Sequence, residues 1–139
     1  MTVLLTRTVK DSTDLAKQIE ACGINTYIEP MFNMEYLDYE LAPTDLSLSQ
    51  AVIFTSKNAL YAIKDTVQKF VHLKCFVIGN ATAKMAKRLK FKDVYVANNS
   101  AKSLADLILK KATVTGGKLL YFCGELITLD FKEEIEKHN

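Results

Sequence analysis

Hydroxyl, amide and glycine residues recur where predicted strands give way to predicted helices. Such loops begin with backbone N–H groups that no helical carbonyl accepts, and these groups bind carboxylate or phosphate oxygens. In a parallel sheet these loops share one edge, beyond the carboxyl ends of the strands. The sequence therefore predicts a polyanion site at that edge, with Lys57 and Lys84 adding long-range attraction. Its predicted residues are Thr6, Arg7, Thr55, Ser56, Asn58, Gly79, Asn80, Thr82, Ser100 and Gly124.

Each of these residues also has a plainer interpretation. Ser, Thr and Asn are common N-caps of helices, so any one of them can serve stability alone. Tyr61 and Tyr121 could stack on a ligand or donate a proton, but tyrosines on a helix and a central strand are more often core residues. Cys123 ends a predicted strand at the same edge. With no adjacent basic residue or histidine, it is expected to be a buried thiol rather than a nucleophile.

Other kinds of catalytic or binding site find no support. The sequence has no G-x-x-x-x-G-K-[ST] motif, and the first predicted strand–helix turn, at 6–8, has no glycine, so nucleotide and dinucleotide sites are disfavoured. His72 and His138 lie away from the strand–helix loops, which excludes a Ser/His/Asp set there. The three cysteines have no C-x-x-C spacing, so we expect no zinc site and no disulfide framework.

Strands and helices are predicted to alternate along the chain. β-branched and apolar runs predict strands at 2–6, 25–29, 51–54, 75–78, 94–97 and 118–123. Asp11 and Ser12 are the predicted N-cap of the first helix, and Asn99 or Ser100 that of a later one. Residues at helical spacing predict the apolar faces of four helices, namely Leu15, Ile19 and Cys22; Leu60, Ile63, Val67 and Phe70; Ala81, Met85 and Leu89; and Leu104, Leu107 and Ile108. A last helix is predicted around 129–137. This alternation predicts an α/β fold with a parallel sheet covered by helices on both faces.

Composition and charge bound the class of protein. The 139 residues are 49% hydrophobic and 24% charged, which is typical of one soluble globular domain. Residues 57–92 hold nine basic side chains and one acidic one, so this part of the chain can attract an anion. Solvated lysine-rich helix faces explain the same excess. Residues 30–49 contain both prolines and four acids, so we interpret them as a linker in which 31–36 could be extended. The predicted strand at the start leaves no room for a signal peptide, and we expect a cytoplasmic protein.

Seven segments, in order along the whole chain, resemble the uroporphyrinogen-III synthase family. The pair FTS-x-NA and VIGNATA is the most specific of them. The segments are VLLTR at 3–7, the stretch from Gly23 to Pro30, AVIFTSKNA at 51–59, FVIGNATA at 76–83, DVYVA at 93–97, SAKSLADLI at 100–108 and LLYFCGE at 119–125.

The resemblance implies two three-layer, flavodoxin-like α/β domains joined by a two-stranded ladder. Residues 1–30 would form the βαβ portion of a partial first domain, 31–45 the crossover, and 46–139 most of the second domain. Lys90 stands at a helix end where relatives often carry glycine, at a cost of a few tenths to about 1 kcal/mol. No arginine follows Gly124–Glu125, where many relatives have one.

The implied activity is that of a cofactor-free lyase. Such an enzyme closes hydroxymethylbilane, a linear tetrapyrrole with eight carboxylates, to uroporphyrinogen III with loss of water and inversion of the last ring. Its partner would be this small molecule, with no nucleic acid and no membrane. The alternative is a non-catalytic, receiver-like α/β module that binds an anionic ligand, although the strand ends lack the acidic cluster of receivers.

On the family template the chain stops before the return strand to the first domain, which carries the family's frequently implicated tyrosine. We therefore expect a fragment or shortened form with little activity of its own. A two-stranded unit cannot bury both faces of its sheet, so its apolar strand residues need a partner. The full-length protein is expected to be a monomer, and this chain could form a homodimer through its exposed residues 1–30.

Overall fold

The chain folds as two units, Met1–Asp38 and Tyr39–Asn139. A computed structural model describes residues 1–98, 100–113, 115–125 and 135. Both units contain parallel strands and helices, which confirms the predicted α/β class. The predicted helix at 129–137, apart from Ile135, and the alternative cap Asn99 lie outside the described residues. None of the helices in the described ranges is long and apolar enough to cross a membrane.

The first unit is a βαβ arrangement. Strands β1 (Thr2–Leu5) and β2 (Asn25–Ile28) pair in parallel, and helix α1 (Val9–Glu20) packs against β2. Leu5 is buried, whereas Leu4 and Tyr27, which are partners in the strand register, are 58% and 60% exposed. Because side chains alternate across a strand, Leu4 and Tyr27 share the face opposite Leu5.

The start of α1 differs from the sequence prediction. Thr8, and not Asp11 or Ser12, is the N-cap, and its Oγ1 accepts from the N–H of Asp11 at 3.4 Å. The carboxylate of Asp11 pairs instead with Arg7, with Nη2 and Oδ2 3.0 Å apart, and the hydroxyl of Ser12 donates to the Arg7 carbonyl at 3.1 Å. Asp11 and Ser12 are therefore buried in the first turn of α1.

The second unit is built on a four-stranded parallel sheet with the order β5-β4-β3-β6. The chain adds β4 and β5 on one side of β3 and then returns to add β6 on the other side. The strands are β3 (Ser49–Phe54), β4 (Lys74–Ile78), β5 (Val94–Ala97) and β6 (Lys118–Phe122). The helices are α2 (Pro43–Ser47), α3 (Lys57–Ala62), α4 (Asn80–Arg88) and α5 (Ala101–Lys111).

Helices cover both faces of this sheet and produce three layers. On one face Leu60 of α3 and Ala86 of α4 pack with Val52, Phe54 and other buried residues. On the opposite face, the α5 side, the members of the buried cluster are Ala51, Ile53, Phe76, Ala97, Leu104, Ala105 and Ile108. The connection from β3 to β5 thus runs over one face, and the connection from β5 to β6 runs over the other.

Two predicted elements have different bounds. The helix expected to carry Leu60 through Phe70 ends at Ala62, and Val67–Lys69 forms a separate 3-10 turn. The hydroxyl of Thr66 donates to the carbonyl of Ile63, competing with helical hydrogen bonds at that point. The linker prediction for 30–49 is wrong at its end, because Pro43 begins α2 and Ser49 begins β3.

Two predicted helical faces are rotated. Leu15 of α1 and Cys22, which lies just after the end of α1, are exposed. In α4, Ala81 is exposed while Met85 and Leu89 are half-buried. Small or polar residues occupy the buried positions instead, because they let the helix backbone approach the sheet. These residues are Asp11, Ser12 and Ala16 in α1, and Thr82, Ala83 and Ala86 in α4.

Candidate functional site

The carboxyl ends of the four parallel strands of the second unit bring most predicted site residues to one edge of the sheet. Each of these residues lies in the loop after a strand or in the first turn of the helix that follows. The residues that follow β3, β4, β5 and β6 are Thr55, Ser56 and Asn58; Gly79, Asn80 and Thr82; Ser100; and Gly124. The predicted juxtaposition along this edge is therefore present within the second unit.

The center of this edge is a topological switch point. β3 lies between β4 and β6, and the chain leaves β3 over one face of the sheet but reaches β6 over the other. Open α/β sheets bind ligands in the crevice outside the carboxyl ends of such strands. Here the hydroxyls of Thr55, directly after β3, and Tyr121, on β6, lie 3.4 Å apart.

Ser56 caps helix α3 at this edge. Its hydroxyl oxygen accepts from the backbone N–H of Asn58 at 3.1 Å, which satisfies one amide of the first turn. Asn58 itself is half-buried. Ser56 thus has the capping role that the plainer interpretation gives it, and a binding role for either residue stays a prediction.

Helix α4 begins differently, because its N-cap is a glycine. Gly79 has φ 77° and ψ 155°, a conformation that is essentially restricted to glycine, and no side chain caps the helix. The N–H groups of Asn80, Ala81 and Thr82 therefore have no side-chain acceptor from the described residues. The Asn80 side chain is exposed, whereas Thr82 is only 5% exposed and offers chiefly its N–H. No acidic residue occupies this first turn.

Ser100 caps helix α5 in a closed network. Its hydroxyl accepts from the N–H of Ser103 at 3.1 Å, and the hydroxyl of Ser103 donates to the carbonyl of Asn98 at 2.7 Å. One N–H of the first turn of α5 thus already has a side-chain acceptor, in contrast to that of α4. The predicted ligand contact at Ser100 stays a prediction.

The loop after β6 corrects one expectation. Cys123 is exposed rather than buried, because β6 ends at Phe122 and Cys123 begins the loop. Partial burial still raises the pKa of its thiol, so the thiolate is not favoured. Cys75, fully enclosed on β4, shows the same effect more strongly, since desolvation raises its pKa to about 12. No atom of the part of the chain that the structure describes lies within 4 Å of a Cβ added at Gly124.

Thr6 and Arg7 lie in the first unit, at the carboxyl end of β1. The carbonyl of Thr6 accepts from the N–H of Met31 at 3.0 Å, and Arg7 is paired with Asp11. The Arg7 side chain is nonetheless 66% exposed, so it can reach solvent anions. Their place in one site with the residues of the second unit stays a prediction.

Most basic side chains of the segment 57–92 are exposed. Lys84 is exposed in the second turn of α4, and Lys57 is half-buried at the first residue of α3. Lys74 is partly buried and donates from Nζ to the carbonyl of Lys111 at 2.7 Å. Positive charge therefore accompanies the two helix starts that follow β3 and β4.

The sequence indicates a core position for Tyr121 and gives no sign that its hydroxyl lies at this edge. Its ring does pack against the apolar cluster on the α5 side of the sheet, as expected. Its hydroxyl, however, lies near Thr55. This proximity depends on β6 being the neighbour of β3, and strand order is not readable from periodicity.

A comparison with known protein families identifies this chain's relatives. The model of a family described as uroporphyrinogen-III synthase HemD matches residues 13–139, nearly the whole chain. In a comparison with curated proteins, none matches.

Proposed function

We propose that this chain, which belongs to the uroporphyrinogen-III synthase HemD family, binds hydroxymethylbilane at the carboxyl edge of its second sheet, and that the full-length protein closes this substrate to uroporphyrinogen III. The observation that carries this proposal is the start of α4. A helix of nine residues begins there on a glycine, without a side-chain cap and without an acidic residue in its first turn. Such a start provides backbone N–H donors for a carboxylate.

The chemistry of the substrate matches this edge. Hydroxymethylbilane carries eight carboxylates, and each needs a hydrogen-bond donor or a cation when it leaves bulk water. Among the described residues at the edge, Thr55, Asn58 and Asn80 have hydroxyl or amide side chains, and α4 adds backbone N–H groups. Lys57 and Lys84 favour approach of an anion to the same side of the unit.

The reaction places a geometric demand on the protein. Loss of the hydroxyl group from the terminal ring leaves a cation that the pyrrole stabilises, so modest acid assistance suffices. The ring must then be attacked at its substituted carbon, which requires the linear chain to be folded back on itself. Fixed donors that hold several carboxylates impose such a conformation, and holding reacting groups in place is a large source of rate enhancement.

The direct test is to incubate the full-length protein with hydroxymethylbilane and separate the uroporphyrinogen isomers. We expect isomer III, whereas isomer I alone, the unrearranged product seen without protein, would contradict the proposal. Gly79→Ala should reduce the yield of isomer III several-fold, because a Cβ at this φ and ψ costs about 1–3 kcal/mol and shifts the first turn of α4. Gly23→Ala is the matched control, since Gly23 has the same φ of 77° and no atom of the described residues lies within 4 Å of an added Cβ.

A further inference from the structure

The segment that precedes β3 lies along β6, from the carboxyl end of that strand to its amino end. At the carboxyl end the ring of Tyr39 packs in a T-shaped arrangement against Phe122, the last residue of β6, with ring centroids 5.4 Å apart. At the amino end the carboxylate of Asp45 pairs with Nζ of Lys118, the first residue of β6. We call residues 39–47 the strap, because they contact both ends of this strand.

The strap lies on the α3 side of the second sheet. Leu41 and Leu46 are half-buried and pack against the apolar cluster that includes Phe54 and Leu60. Phe122 packs against the same cluster. Apolar packing therefore fixes the strap between its two ends, in addition to the contacts at those ends.

The contacts of Tyr39 define where the strap meets the carboxyl end of β6. The hydroxyl of Thr66 has one hydrogen, which it donates to the carbonyl of Ile63 at 3.2 Å. The hydrogen bond between Tyr39 and Thr66 is therefore donated by the phenol. One side chain thus connects the turn after α3 with the ring of Phe122.

Phe122 in turn connects Tyr39 to the candidate site. Its ring stacks on that of Phe54, its partner in the strand register, with centroids 5.4 Å apart and 13° between the ring planes. Phe54 immediately precedes the loop after β3, and Phe122 immediately precedes the loop that contains Gly124. Aromatic pairs at such distances attract each other beyond the effect of buried area. Removing the Tyr39 ring therefore loosens the strand end that carries the loop after β6.

We propose that Tyr39 is a positioning residue, which holds the loop that begins at Cys123 in the conformation in which the carboxyl edge binds the substrate. This inference rests on the proposed function and deepens it, because it adds the loop after β6 to the start of α4. The two lie at the carboxyl ends of β6 and β4, which flank the central strand β3 on its two sides. A loop that is already ordered loses less conformational entropy when a ligand binds, so the fixed loop favours binding.

The test combines the affinity of the chain for uroporphyrin III, the stable oxidised form of the proposed product, with the reactivity of a thiol in the loop. Cys123 is exposed at the start of the loop, and the exposed Cys22 of the first unit is an internal reference. Tyr39 is 38% exposed, so Tyr39→Ala removes no core side chain. This variant should raise Kd about fivefold, because binding must now order the loop. It should also raise the rate of Cys123 modification, relative to that of Cys22, about threefold through local opening.

Two control variants separate positioning of the loop from general loosening of the strap. Tyr39→Phe keeps the aromatic contact with Phe122, so its Kd and its Cys123 rate should stay within about twofold of the wild-type values. Asp45→Ala breaks the exposed ion pair at the other end of the strap, and the same limit of about twofold applies because exposed pairs contribute little.

Wild-type Kd in Tyr39→Ala would overturn the inference and leave the proposed function standing. The inference would also fail if Tyr39→Phe or Asp45→Ala raised Kd as much as Tyr39→Ala, or if Kd rose in Tyr39→Ala without faster modification of Cys123. Failure of the wild-type chain to bind uroporphyrin III, together with formation of isomer I alone by the full-length protein, would contradict the proposed function itself.

Discussion

Replacing Lys90 with glycine should stabilise the second unit, because Lys90 has a left-handed backbone with φ 67°. Helix α4 ends there in a Schellman motif. The N–H of Lys90 donates to the carbonyl of Lys87 at 3.0 Å, and the N–H of Phe91 donates to that of Ala86 at 3.2 Å. Phe91 and Ala86 are both buried in the same apolar cluster, so the motif is held by the core and the strain at Lys90 persists.

The expected gain follows from two opposing terms. A residue with a Cβ in the left-handed region costs roughly 1–2 kcal/mol. Glycine loses more chain entropy on folding, which lowers the free energy of unfolding by about 0.5–1 kcal/mol. The net gain is about 0.5–1 kcal/mol, reduced by a few tenths because Lys90 lies near the negative end of the α4 dipole. Lys90→Ala loses the same charge but keeps the Cβ, so it should be no more stable than the wild type.

Urea unfolding followed by far-UV circular dichroism measures this gain. With a slope of about 1–3 kcal/mol per molar urea, Lys90→Gly should unfold at a midpoint a few tenths of a molar above that of Lys90→Ala, with equal slopes. Equal midpoints for the glycine and alanine variants would refute the conformational argument, because relief of the strain at position 90 is what should make the glycine variant the more stable of the two.

Three further outcomes are expected. Between about pH 9 and about pH 12 the free energy of unfolding should fall as the pH rises. The reason is that the thiol of Cys75 ionises in the unfolded chain, whereas the folded thiol, with its pKa raised to about 12, stays protonated. Cys75→Ala should show a shallower decline with pH, and a decline identical to that of the wild type would contradict the assignment. In the native protein a thiol reagent should modify Cys123 and leave Cys75 unmodified until unfolding, and simultaneous labelling of both would show that β4 is accessible. Ser100→Ala should lower the free energy of unfolding by about 1 kcal/mol through loss of the α5 cap. Ser47→Ala, at an exposed serine that is the N-cap of no helix, should change the free energy of unfolding by less than about 0.5 kcal/mol. Equal losses in the two variants would contradict the capping role of Ser100.

The strands were predictable because their residues are locally distinctive. Runs such as AVIF at 51–54 are β-rich and fully apolar, which is typical of a strand buried on both faces. Burial was also predictable for Leu60, Ile63, Val67 and Phe70, all of which are enclosed. Their spacing indicates which side chains face the core, but it does not determine which backbone hydrogen bonds connect them. The helix consequently ends at Ala62, and a 3-10 turn carries Val67 to the same core.

The site was predictable where it depends on loops and not where it depends on strand order. Thr55, Gly79 and Ser100 share one edge because all parallel strands end there, whatever their order. The approach of Tyr121 to Thr55 requires β6 beside β3, a long-range pairing that no local pattern encodes. Likewise, Asp11 was expected to be a cap, but an ion pair with Arg7 occupies its carboxylate.

We expect the polycarboxylate to bind at the carboxyl edge of the second sheet, against the start of α4. The most direct test is to titrate the isotopically labelled protein with uroporphyrin III, the oxidised octacarboxylate form of uroporphyrinogen III, and to follow the backbone amide resonances. The largest shifts should occur at Asn80, Ala81 and Thr82, whose N–H groups begin α4. Shifts confined to the opposite edge, near Lys74 and Lys118 at the starts of β4 and β6, would contradict the claim.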